Sequence, residues 1–216
     1  MNNLQDKLHY TFQNPARLEE ALTHKSAGRL NNERLEFLGD AVLNLVIADA
    51  LLKQHCKLKE GVLSRMRADL VKGETLAKLA QTIDLGAHIK LGAGERKSGG
   101  QARTSILADA LEAILGAVYL DGGILSAQKV TLALYENELK HAEPRKDAKT
   151  TLQEILQAKK QAPASYEVTK TLGKQHDKAF YVTCTVGKLQ SLGQGKTRKA
   201  AEQLAAEAML EKLKKK

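Results

Sequence analysis

The sequence predicts two domains of different class: an all-α domain over residues 1–140, then a small α+β module over 149–216, joined by a linker at 141–148. Three observations carry this. Up to about Lys140 the apolar residues recur at helical spacing, and few β-branched runs compete with helix. The segment His141-Ala142-Glu143-Pro144-Arg145-Lys146-Asp147 is polar, contains a proline and has no period. Beyond it the order becomes helix, three strands, helix, an α-β-β-β-α module near the smallest size that folds alone.

In the first domain, periodicity predicts helices over 4–10, 15–22, 32–54, 61–81, 105–120 and 125–140. Turn signals stand at Asn14-Pro15, Lys72-Gly73 and Asp121-Gly122-Gly123. Leu91 to Ser105 departs from the pattern: Gly92, Gly94, Gly99 and Gly100 are interleaved with Glu95, Arg96, Lys97 and Arg103. It reads as a surface loop, either simply solvated or in contact with a phosphate backbone. In the second domain Thr150 to Lys160 is an amphipathic helix. Tyr166–Thr171, Ala179–Val186 and Lys188–Gly193 have strand composition, and an Ala-rich helix runs from Lys196 to Leu213.

Composition sets the chemical context. The chain carries a formal charge of +9, which favours a polyanionic partner. Residues 147–216 hold 14 Lys+Arg against 7 Asp+Glu, while residues 1–146 hold 20 against 18, so most of the attraction belongs to the C-terminal module. Cys56 and Cys184 are the only cysteines and fall in different domains, which fits a reducing compartment and no disulfide framework. The N-terminus has no signal-peptide pattern, and the apolar stretch Ala41–Leu52 is broken by Asn44 and Asp49 and too short to span a bilayer. A soluble, cytoplasmic protein without a membrane segment is expected.

Two predicted helices carry acids where a folded chain normally places core: Asn32-Glu33-Arg34-Leu35-Glu36-Phe37-Leu38-Gly39-Asp40-Ala41-Val42-Leu43 and Ile106-Leu107-Ala108-Asp109-Ala110-Leu111-Glu112-Ala113-Ile114-Leu115-Gly116. The surrounding apolar residues make both segments read as largely buried. A lone buried carboxylate is strongly disfavoured, so these acids need a cation. Glu36 and Asp40 share one helix face at i, i+4, and Asp109 and Glu112 do so at i, i+3. Two such pairs on facing helices would converge as four oxygen donors, the way helical bundles build carboxylate metal sites. An all-oxygen set suits Mg²⁺, with Mn²⁺ able to substitute, and argues against zinc. Pairing with Arg34 or Arg65 is the competing arrangement.

Gly193-Gln194-Gly195-Lys196-Thr197-Arg198-Lys199 precedes the last helix. Glycines allow close backbone approach, a helix N-terminus favours anions, and three cations cluster there: a phosphate grip, with a solvated basic turn as the plainer alternative. Tyr166, Phe180 and Tyr181 are the module's only aromatics. Without exposed rings for base stacking, a duplex recognised by shape is a better target than a single strand.

Thr151-Leu152-Gln153-Glu154, Gly173-Lys174-Gln175-His176-Asp177-Lys178-Ala179-Phe180 and the 193–202 segment resemble the three RNA-contacting regions of double-stranded-RNA-binding domains. The acid-bearing string 32–43 resembles the signature of bacterial ribonuclease III, and so do 21–26, 107–113 and 116–123. The resemblance covers nearly the whole chain. It implies an all-α, homodimeric endonuclease domain followed by a double-stranded-RNA-binding domain, with no small-molecule cofactor. It also implies Glu36, Asp40, Asp109 and Glu112 as Mg²⁺ ligands, with Asp40 and Glu112 central to catalysis. Products would carry 5′-phosphate and 3′-hydroxyl ends with two-nucleotide 3′ overhangs, and ribosomal RNA precursors are the family's expected substrates. Gln153 and Glu154 would face one minor groove, the loop around His176 a second, and Lys196, Arg198 and Lys199 the phosphates between. The family often has proline where this chain has Lys174, which leaves the loop less rigid. Glu33, Asn44 and Glu60 are weaker candidates. Glu33 is a substrate contact or an ion-pair partner, Asn44 supports the metal site or the helix backbone, and Glu60 is a site acid or an N-terminal helix charge. A non-cleaving duplex-RNA binder, regulatory or ribosome-associated, would keep the fold but have no reason to keep all four acids.

Overall fold

The computed structural model describes residues 2–144, 148–172 and 178–214, which form two compact units, Met1–Pro144 and Arg145–Lys216.

The first unit is helical. Its elements are α1 (Asn2–Leu8), α2 (Pro15–Ala21), α3 (Glu33–Gln54), α4 (Glu60–Val71), α5 (Gly73–Thr82), α6 (Ala93–Lys97), α7 (Thr104–Leu134) and α8 (Glu136–Lys140). Asn14 starts α2 by accepting the Ala16 amide, with Pro15 in the first turn where its missing N–H costs nothing. The expected helix over 61–81 is two helices. The chain turns extended at Lys72 (ψ 149°), where the Lys72-Gly73 signal stood. The expected loop at 91–105 contains α6 and a 3-10 turn, Gly100–Ala102, because Glu95 is ion-paired with Arg103 at 2.6 Å and Arg96 bonds the Leu91 carbonyl.

Helix α7 is the centre of the unit. Ile106, Leu107, Ala110, Leu111, Ala113, Ile114, Leu115, Ala117 and Val118 are all buried, and α3, α5, α2 and α1 pack around it. Among the described residues it is the one helix long and apolar enough, by length and composition alone, to cross a membrane, a test that a buried core helix such as this one also passes. Gly123 (φ 75°, ψ −178°) breaks its helical path, at the turn signal read at Asp121–Gly123.

Close approach of α3 and α7 depends on two glycines. A Cβ on Gly39 would stand 1.8 Å from the Glu112 carbonyl oxygen, and one on Gly116 would stand 2.2 Å from the Leu35 carbonyl oxygen. Only hydrogen fits at either position, so the helices touch backbone to backbone.

In the second unit, α9 (Ala148–Ala158) and α10 (Arg198–Lys214) lie on one face of an antiparallel sheet of order β1 (Ser165–Leu172), β2 (Ala179–Val186), β3 (Leu189–Gly195). Helix α9 begins at Ala148, inside the expected linker. The register pairs Tyr166 with Cys184 and Val182 with Gly193, and β1 bulges between Val168 and Lys170. Val182, Cys184 and Val186 alternate inward to meet Leu152, Leu156, Ala201, Ala205 and Met209. Small residues again set the spacing: a Cβ on Gly193 would meet the Ala201 carbonyl oxygen at 2.2 Å.

Candidate active site and RNA-binding surface

The Gly39 and Gly116 contacts place the N-terminal half of α3 against the first half of α7, which decides where the acids go. Glu36 of α3 and Asp109 and Glu112 of α7 offer carboxylate oxygens that all lie within 4.8 Å of one another. Asp40, one turn after Glu36, is close enough that its charge raises the proton affinity of Glu112 more than any other neighbour does. Three of the four expected acids therefore meet, with Asp40 acting on Glu112 through its charge, but the expected depth is absent. Glu36, Asp109 and Glu112 are only half-buried and Asp40 is exposed, because the apolar residues between them, not the acids, face the core.

Electrostatics follows from this packing. Burial, then the charges of Asp40, Glu36 and Asp109, push the Glu112 carboxyl up to about 8. Burial and the neighbouring Asp109 and Glu33 raise Glu36. Burial also raises Asp109, an effect that Lys25 and His24 partly offset. Among the described residues no arginine pairs with any of the four, so the alternative of ion pairs with Arg34 or Arg65 is not realised. A half-buried, mutually repelling, all-oxygen group of this kind is chemically suited to a divalent cation.

The weaker candidates separate. Asn44 lies half-buried one turn beyond Asp40, and its side-chain amide donates to Asp40 Oδ1 at 2.8 Å and to the Asp40 carbonyl at 2.9 Å. It thus supports both the acid and the helix backbone. Glu33 is exposed and ion-paired with Lys25 at 3.2 Å. Glu60 opens α4, accepts from Ser64 Oγ at 2.6 Å and lines a hollow with Ala48, Leu51 and Leu52. Ala48 is about 18 Å along α3 from Glu36, so Glu60 does not join the acid cluster within this chain.

Four contributors were not singled out as site residues from sequence. The charges of Lys25 and His24 act on Asp109, and that of Lys25 also acts on Glu36. The parallel bridge between Thr23 and Lys90 ties down the segment that carries them. Gly39 and Gly116 are the others, and isolated glycines inside apolar helices were the available signal.

On the second unit, Gln153 and Glu154 are exposed on α9, as are Lys196, two residues before α10, and Lys199 in its first turn. Arg198 is also exposed, but its Nε donates to Glu202 at 2.9 Å, so it is not a free cation. His176 and its loop lie outside the described residues.

A ribonuclease-III-like family model matches residues 14–139, and a double-stranded RNA binding motif matches residues 148–213. Ribonuclease 3 of Legionella pneumophila is 53% identical over 212 residues, covering 96% of this chain and 95% of that protein. The chain belongs to the ribonuclease III family. Ribonuclease 3 of Vibrio cholerae is 49% identical across 99% of the chain and 97% of its own length. The solved nuclease domain of ribonuclease III from Campylobacter jejuni superposes with a TM-score of 0.61 at 44% identity, covering 62% of this chain and 96% of that one. That structure was described for flexibility in a region involved in dimer formation. As a family member with both domains, the chain is a double-strand-specific endoribonuclease.

Proposed function

We propose that the chain cuts paired RNA by Mg²⁺-dependent phosphodiester hydrolysis at Glu36, Asp40, Asp109 and Glu112, with Mn²⁺ able to substitute. Products would have 5′-phosphate and 3′-hydroxyl ends with two-nucleotide 3′ overhangs. The observation that carries this is the group of three carboxylates within 4.8 Å with no arginine among them. Acids of raised proton affinity exchange protons for a divalent cation as the pH approaches neutrality. A bound Mg²⁺ supplies a nucleophile at neutral pH and relief of the charge that builds on the phosphate. The residues supply placement: Asn44 orients Asp40, and the Lys25 charge limits repulsion around Asp109.

The second unit would hold the duplex. Gln153 and Glu154 would meet one minor groove and the His176 loop another, with Lys196, Arg198 and Lys199 on the phosphates between. About 16 base pairs would be covered.

The working form is a homodimer. Phe37, Ala41, Leu45, Ala48 and Leu52 fall within an arc of about 80° on α3, and Phe37, Leu45 and Leu52 are 81%, 59% and 60% exposed. A second copy, itself carrying this stripe, is the simplest partner to cover it. Structured RNAs, ribosomal precursors among them, in the cytoplasm are the proposed setting.

The test is a defined RNA duplex incubated with the protein, with and without Mg²⁺, and end-mapped. Asp40→Asn and Glu112→Gln are expected to abolish cutting while leaving duplex binding near the parent level. Cutting at the parental rate by either variant, or in chelator, would remove the metal assignment.

A further inference from the structure

Glu202 lies one turn into α10, and its side chain is only 12% exposed. Its carboxylate is shared between two cations: Oε2 accepts from Lys149 Nζ at 2.5 Å and Oε1 from Arg198 Nε at 2.9 Å. The next residue, Gln203, accepts the backbone amides of Ala148 and Lys149 at 3.0 and 3.4 Å, two of the donors left open at the start of α9. Lys149 also lies 4.6 Å from the ring centre of Tyr166 in β1. One stretch of α10 therefore fastens the first turn of α9, the helix that carries Gln153 and Glu154, and holds Arg198 as well. An arginine held by Nε keeps four N–H donors on Nη1 and Nη2, and among the described residues nothing else takes them.

We infer that Glu202 is a positioning residue for RNA binding: it holds the Arg198 guanidinium by Nε, leaving both Nη groups for a phosphate, and locks α9 to α10 through Lys149. The role presupposes the phosphate contact proposed above for Arg198. Charge alone predicts the opposite sign. Glu202 is an anion beside a surface for a polyanion, so its removal should tighten binding unless its geometry matters more.

Binding of a defined RNA duplex to the full chain, measured in chelator across salt concentrations, separates these. Glu202→Gln is expected to bind several-fold more weakly although it adds a net positive charge. Arg198→Ala is expected to bind more weakly with a salt dependence lower by about one unit of slope. The double variant should lose less than the sum of the two single losses, since part of the Glu202 effect runs through Arg198. Arg198→Lys leaves the Lys149–Glu202 pair and the fold intact but lacks the planar fork, so it too should bind more weakly, even if Glu202→Gln unfolds. Binding by Glu202→Gln at or above the parental affinity overturns the inference, as do additive losses in the double variant or a parent-like Arg198→Lys. If Arg198→Ala matches the parent in affinity and slope, the phosphate contact itself is wrong.

Discussion

The α-carbon of Gly39 faces the backbone of Glu112 so closely that a methyl group there would stand 1.8 Å from the Glu112 carbonyl oxygen. The residue just before Asp40 on α3 thus touches the residue on α7 whose carboxyl is most strongly perturbed.

Gly39→Ala should therefore push α3 and α7 apart. The atoms in the way belong to the backbone of Glu112 and Gly116, so relief requires backbone movement, at a cost on the order of 3 kcal/mol. Urea denaturation followed by circular dichroism measures it, and cleavage should fall with it because Glu36 and Asp40 move away from Asp109 and Glu112. An unchanged midpoint would mean that the contact is not as tight as described.

Glu112 predicts a pH dependence in metal-free protein. Its carboxyl sits at about 8 when folded against an ordinary 4.5. Between those values the native state holds a proton that the unfolded chain has lost, so stability falls as pH rises through this window. In chelator the melting temperature should drop between pH 5 and 8, and Glu112→Gln should flatten that drop. Mg²⁺ at pH 8 should stabilise the parent and have little effect on the variant. A parental melting temperature that stays level or rises with pH would contradict the repulsion between these acids.

Asn44→Ala removes the donor that holds Asp40 Oδ1 at 2.8 Å. Loss of such a supporting bond lowers metal affinity or activity roughly 10–100-fold. The Mg²⁺ concentration for half-maximal cleavage should rise, with duplex binding unchanged. If that concentration stays put, Asn44 serves the helix backbone alone.

Phe37→Glu places a charge in the exposed apolar stripe of α3. Sedimentation should show a monomer where the parent shows a dimer, while helical content remains, since Phe37 makes no core contact at 81% exposure. A parent that sediments as a monomer would dispose of the homodimer.

Much of this was legible in the chain itself. Helical spacing marked α3, the Asp121–Gly123 signal marked the break in α7, and the change of period after Pro144 separated the two classes of structure. The i, i+4 and i, i+3 pairs pointed Glu36 with Asp40, and Asp109 with Glu112, to one face each, because helix geometry is local. The split at Lys72 was misjudged because a turn signal inside a continuous apolar period can be resolved either way.

Other features depend on partners distant in sequence. The acids lie at the rim and not in the core because burial is decided by which face of α3 meets α7, and two glycines allow that meeting. Lys25 reaches Asp109 only through the folded 22–32 segment, and Arg198 is held by Glu202, whose carboxylate also binds Lys149, 53 positions earlier in the chain. Periodicity and residue type suffice to specify a helix and the direction its side chains point. Depth, charge environment and hydrogen-bond partners arise only when separate segments close on each other.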